Sequence, residues 1–200
     1  MLEGNTKGAI LVVTYGRWHT TTYIGVGGNF IWRLLAMKKI FIILFSLVHF
    51  TSIGQVGKTE REGEPDIYAV DSDDKEMNEA IKMSRLSYDK FLASFTKPKR
   101  NQTSFCVKMP FATKNGSEHI WLVDLESQDG KLIGQVNNLP ESVIGLKLGD
   151  KIEIEKDKIS DWFYIEDGIL VGGLTIRVLR DRMTPSERKQ FDIEFGVRFE

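Results

Sequence analysis

KIEIEKDKISDWFYIEDGILVGGLTIRVLRDRM, residues 151–183, changes its repeat halfway along, and that change decides the fold. From Lys151 to Glu155, isoleucine alternates with charge, the two-residue period of a half-buried strand. Ile159 to Ile165 forms a second strand, closed by an Asp167-Gly168 turn, and Ile169 to Val171 pairs back on it. After Gly172-Gly173, Thr175 to Arg182 suits a strand or a helix, and the spacing of three and four at Ile176, Leu179 and Met183 favours the helix. Thr184-Pro185-Ser186-Glu187 starts another, with Thr as cap and Pro in the first turn, ending near Phe195.

The same two periods occur upstream. Phe105, Val107, Met109 and Phe111 alternate with Cys106, Lys108 and Pro110, a half-buried strand that Pro110 marks as an edge or an end. Asn115-Gly116 turns into His119–Leu125, and Ser127 to Gly130 turns into Lys131–Val136, a hairpin. Asn137 to Pro140 breaks the pattern, and Glu141 to Ile144 suits a short helical turn. Before all of these, Met77, Ala80, Ile81, Ser84, Tyr88, Phe91, Leu92 and Phe95 lie on one stripe of a single helix of about 22 residues. Asp73 is its expected cap and Pro98 its end. The expected fold is α+β: a curved antiparallel sheet or small open barrel of about five strands. One long N-terminal helix and two C-terminal helices pack on it.

Residues 55–72 are charged, contain Gly57, Gly63 and Pro65, and are expected to be a linker before a globular domain over 73–200. Residues 37–54 have the order of a secretory signal peptide. Met37-Lys38-Lys39 is basic, Ile40 to Phe50 is apolar, and Ser52 and Gly54 stand at −3 and −1 of a cut before Gln55. This 11-residue core, interrupted only by Ser46 and His49, is too short to span a bilayer, which takes roughly 20, so no stable span is expected after cleavage. On this reading synthesis starts at Met37, residues 1–36 are an over-extended start or disordered extension, and the product is periplasmic or secreted. The alternative is a true N-terminal extension with a hairpin around Gly25 to Gly28.

Charge and cysteine content exclude several classes. Residues 1–54 carry five basic side chains against Glu3, leaving 22 basic and 27 acidic groups in the rest. A net −5 gives residues 55–200 no electrostatic reason to hold nucleic acid, and Lys97, Lys99 and Arg100 are too few to reverse it. Cys106 is the single cysteine, so neither an intramolecular disulfide nor a CxxC pair is possible.

The segments FCVKMPF (105–111), EHIWL (118–122) and residues 149–183 resemble the bacterial domain of unknown function DUF2314, found in YegJ-like proteins. The resemblance covers residues 74–192. It implies a family and carries no role over to any residue.

The candidate catalytic residues come from the sequence itself. His119 with Glu118 or Asp161 could form an acid/base pair, although strand neighbours Glu118 and His119 point to opposite faces. A histidine bonded to a neighbouring carboxylate for structural reasons is the simpler alternative. Asp161 lies within an otherwise apolar strand and needs a partner if buried, for which Arg177 is the natural choice. Trp121, Trp162, Arg177 and Lys108 are the candidate ligand-binding residues, the two indoles walling a pocket over a polar floor. Gly172-Gly173 before Thr175 suits a backbone anion site but lacks nucleotide-binding spacing. His19 and His49 lie in the leading part, so no multi-histidine metal site is expected, and no cofactor is implied. Ser160 and Ser186 lack a G-x-S-x-G setting. The expected function is an exported binding or interaction module of the cell envelope, taking a protein or a small polar ligand. The rivals are a hydrolase-like enzyme built on His119 and an immunity-type partner that blocks another protein by surface contact.

Overall fold

The computed structural model describes residues 9–13, 57–61 and 64–200. The signal pattern at 37–54, the hairpin considered at 25–28 and the rest of 1–36 apart from 9–13 lie outside the described residues. The fold is α+β. Its strands are β1 (Ala9–Val13), β2 (Gly57–Arg61), β3 (Glu64–Asp71), β4 (Gln102–Thr113), β5 (Gly116–Gln128), β6 (Lys131–Val136), β7 (Lys151–Glu153), β8 (Asp161–Glu166) and β9 (Ile169–Gly172). The helices are α1 (Lys75–Leu86), α2 (Tyr88–Thr96), α3 (Leu174–Asp181) and α4 (Pro185–Phe195).

These strands form one sheet in the order β2-β3-β1-β5-β4-β8-β9, with β6 and β7 continuing from the far half of β5. Every pairing is antiparallel except β1 with β5. The strands expected from alternation and turn residues, about five, are present within β4 to β9, and β1 to β3 extend the sheet beyond them. Pro110 sits where the sheet can tolerate it. The register of β4 on β8 ends at Lys108–Asp161, so beyond that point β4 has a sheet neighbour on one side only.

Four expectations need correction. The segment expected to be a linker contains β2 and β3. Its short apolar run is hidden among charges, but Tyr68 and Val70 pack with Met77, Ile81 and Leu179, which is enough to bury the strand. The single long helix breaks at Ser87, whose hydroxyl donates back to the Met83 carbonyl at 2.7 Å. The break has a packing cause: α1 buries Met77, Ala80, Ile81 and Ser84, with Met77 and Ile81 against β3 and α3, while α2 buries Tyr88 and Phe91 in a different core. Asp74 rather than Asp73 caps α1, accepting from the Met77 N–H at 2.9 Å. Glu141 to Ile144 is a bend and turn with no helix. At the C-terminus the expected cap is present: Thr184 Oγ1 accepts from the Glu187 N–H, and the Glu187 carboxylate accepts from the Thr184 N–H.

The central strands are buried on both faces. One face carries Val107, Met109, Ile120, Leu122, Trp162 and Tyr164 under α2. The other carries Cys106, Trp121, Val123 and Phe163 in one cluster with Ile176 of α3 and Phe191 and Phe195 of α4. Half-buried alternation therefore understates the burial: Cys106, Val107, Lys108 and Met109 are consecutive and all buried.

Candidate functional site

The second face carries a polar row. Asp161 of β8, Lys108 of β4 and Trp121 of β5 are direct neighbours in register across three strands. A carboxylate and an ammonium in such a place each need partners, because an unpaired buried charge is costly. The Asp161 carboxylate accepts five hydrogen bonds. The backbone N–H groups of Trp162, Leu174 and Thr175 donate at 2.8, 3.1 and 2.8 Å, and the hydroxyls of Ser84 and Thr175 at 2.9 and 2.5 Å. Two of those N–H groups belong to the first turn of α3, whose positive end favours an anion.

The glycine pair makes this possible. Gly172 and Gly173 both have positive φ, and a Cβ on Gly172 would stand 2.4 Å from the Trp162 carbonyl oxygen. The close approach turns the chain so that α3 begins over Asp161. The anion site expected at Gly172-Gly173-Thr175 thus exists, and the protein's own aspartate fills it.

Lys108 is 1% exposed. Its Nζ donates to Thr175 Oγ1 at 2.9 Å and lies 4.6 Å from the centre of the Trp121 ring. Thr175 passes the contact on to Asp161, so lysine and aspartate are joined through one hydroxyl. Burial pushes the Lys108 ammonium down to about 8, against the opposing pull of the Asp161 charge.

The other candidates are dispersed. His119 shares a 3.3 Å hydrogen bond with the Ser117 hydroxyl. Burial, then the nearby charges of Lys108 and Arg85, push it down to about 3, so its imidazole is neutral at physiological pH. Glu118 faces the opposite way, as strand alternation requires, and accepts from the backbone N–H groups of Glu141 and Ser142 at 3.0 and 2.8 Å. Trp121 and Trp162 lie on opposite faces, both buried, and share no pocket. Trp121 packs edge-on to Phe163, and the Trp162 Nε1 donates to the Ser84 carbonyl at 2.8 Å.

Arg177 does not reach Asp161. Its guanidinium donates to the carbonyls of Leu170, Gly172 and Glu200, tying the chain end to β9. Asp161 finds donors in α3 backbone and in hydroxyls, so it leaves Arg177 no role as partner. Bidentate pairs form elsewhere, at residues that no motif singles out: Arg182 donates at 2.7 and 2.8 Å to Asp74, joining the end of α3 to the start of α1, and Arg180 donates at 2.7 Å twice to Asp192 of α4. Among the described residues, no three His, Cys, Asp or Glu side chains converge as metal ligands, and no helix is long and apolar enough to cross a membrane.

Fold and site together define a small α+β domain organised around a self-contained buried polar row. Residues 74–199 match the family described as an uncharacterized protein conserved in bacteria (DUF2314), and the chain belongs to that family. It is 36% identical over 142 residues to the uncharacterized protein YegJ of Escherichia coli strain K12, covering 70% of this chain and 86% of that one. It is 30% identical over 145 residues to a putative ankyrin repeat protein of Neisseria meningitidis serogroup B, covering 68% of this chain and 57% of that one. The chain thus spans little more than half of that second relative. No solved structure matches.

Proposed function

We propose that this DUF2314 protein is an exported interaction module of the cell envelope that recognises another protein by surface contact. One observation carries the reading: the polar groups that would do chemistry are already bonded to one another inside the domain. Asp161 spends its lone pairs on five internal donors, and Glu118 is bound to loop backbone. The surface offers apolar contact instead. Leu139, Ile144 and Leu148 are exposed on the loop over 137–150 that Glu118 holds, Ile144 at 99%. The name of the second relative, an ankyrin repeat protein, agrees with a protein-binding setting, since stacked repeats form extended binding surfaces. Export rests on the basic, apolar and small-residue order of 37–54.

The hydrolase-like alternative, His119 with Glu118 or Asp161, is weaker. An imidazole held down to about 3 lacks the basicity a general base needs near neutral pH. The test places a photo-crosslinking amino acid at position 144 or, as a control, at exposed Lys90, in cells making the native gene product. A discrete adduct with an envelope protein from position 144 alone is expected. Equal labelling from both positions, or adducts only with cytosolic proteins, would overturn the reading.

A further inference from the structure

The strand β1 occupies an unusual place. Its backbone pairs on both sides, antiparallel with Ile67–Asp71 of β3 and parallel with Gly116–His119 of β5. Among the described residues it is the one strand that links β3 to β5 in the sheet order. Yet β1 lies upstream of the signal pattern at 37–54, so a cut before Gln55 would sever it from the rest of the chain. Its neighbours would stay. Tyr68 and Val70 of β3 are packed against Met77, Ile81 and Leu179, and β5 is held by β4. Two rows of backbone N–H and C=O groups would then face each other across one strand width, and such groups demand partners.

We propose that the exported product, which lacks β1 whether synthesis starts at Met37 or the chain is cut before Gln55, has a slot between β3 and β5 that binds an uncharged, extended segment of another exported polypeptide as an added strand, parallel to β5 and antiparallel to β3. This rests on the export reading and names the site and partner chemistry within it. Main-chain pairing on two sides would supply the affinity, as in other strand-addition complexes. The slot also limits its occupant. Along β5, β6 begins its own pairing at Leu122, so the added strand can run past Gly116–His119 only briefly before meeting Val136. Of the positions in register with it, Ile67, Tyr68, Val70, Glu118 and His119 are buried, so a charge at the middle of the occupant would lose its water. The stretch seated there, Ala9-Ile10-Leu11-Val12-Val13, has this chemistry: no charge and three β-branched residues.

The experiment starts from the gene product as cells process it, with its N-terminus fixed by intact mass. A product beginning at Gln55 is then mixed with a synthetic peptide carrying residues 8–14 between lysine tails. Amide hydrogen exchange is followed at Ile67–Asp71 and Gly116–His119. Expected is slowing by about tenfold or more on adding the peptide, and no slowing with a peptide N-methylated at alternate residues. Amides already protected without peptide would overturn the slot: in a monomer β3 has closed directly on β5, and in a dimer a second copy fills the space. Fast exchange that the peptide leaves unchanged would overturn it too. A product that keeps residues 1–54 would overturn the export reading and the slot with it, and the mass alone would say so.

Discussion

The two faces of the central strands are buried alike and built differently. Under α2 lies a network of rings: Phe91 stands 5.5 Å from Trp162 and 5.8 Å from Phe105, which stacks on Tyr164 at 5.1 Å. Under α3 lies the Asp161–Thr175–Lys108 chain. Ring packing is non-directional and is degraded gradually. A buried polar row fails abruptly where its shared acceptor is lost, because removing Asp161 strands several donors and a charge in low dielectric. The comparison assigns the two faces different work. The aromatic face provides burial, and the polar face fixes where α3 starts and where α1 crosses it.

Substitutions can break that contrast. Asp161→Ala should cost about 5 kcal/mol, the upper range for breaking a buried charged network, measured by urea unfolding. It leaves three backbone N–H groups without their acceptor, and Lys108, still bonded to Thr175, without its opposite charge. Adding Lys108→Met to that variant should recover part of the loss, whereas Lys108→Met should leave the effect of Phe91→Ala unchanged. A cycle in which both pairs simply add would end the distinction between the faces. Phe91→Ala alone should cost about 3–4 kcal/mol through lost burial and a cavity.

Acid should discriminate as well. His119 is held to about 3 while a free imidazole titrates near 6.5, so between those values the unfolded chain binds a proton that the native one refuses. Stability is then full above about pH 6.5 and declines as pH falls toward about 3, by at most ~1.4 kcal/mol per pH unit. Unfolding midpoints between pH 7 and 4 should show that slope in the wild type and a shallower one in His119→Gln. Equal slopes would mean that His119 is not the group responsible. The smallest effect is Lys108→Met by itself. Replacing a desolvated ammonium with an apolar chain of similar length, while Thr175 still donates to Asp161, should change stability at pH 7 by no more than about 1 kcal/mol, in either direction. A loss several times larger would make Lys108 a structural necessity.

Strand and helix order was largely legible because alternation, turn residues and the Thr184 cap are written in side chains. What stayed hidden has physical reasons. Alternation says which residues share a face, but not whether something covers it, so Lys108 reads as a residue open to a ligand, whereas α3 covers it. Asp161 looked destined for an arginine because side-chain donors can be read off a sequence. Most of its partners are backbone N–H groups and hydroxyls, and which N–H groups converge on a point depends on the Gly172-Gly173 turn in space. The opposed directions of Glu118 and His119 were legible from strand parity; the loop that Glu118 binds was not. β3 was missed because four apolar residues, Ile67 to Val70, sit between charged stretches too long to suggest a strand. Ser87 divides a stripe whose spacing alone continues unbroken.

The tether from Glu118 to the loop has a consequence for variation. The carboxylate grips Glu141 and Ser142 through main-chain N–H groups and places no demand on their side chains. A loop anchored in this way can exchange the side chains at 141 and 142, proline excepted, and keep its anchor. Related proteins could therefore carry different lettering on the same frame, each adapted to its own counterpart, while the buried carboxylate beneath stays the same.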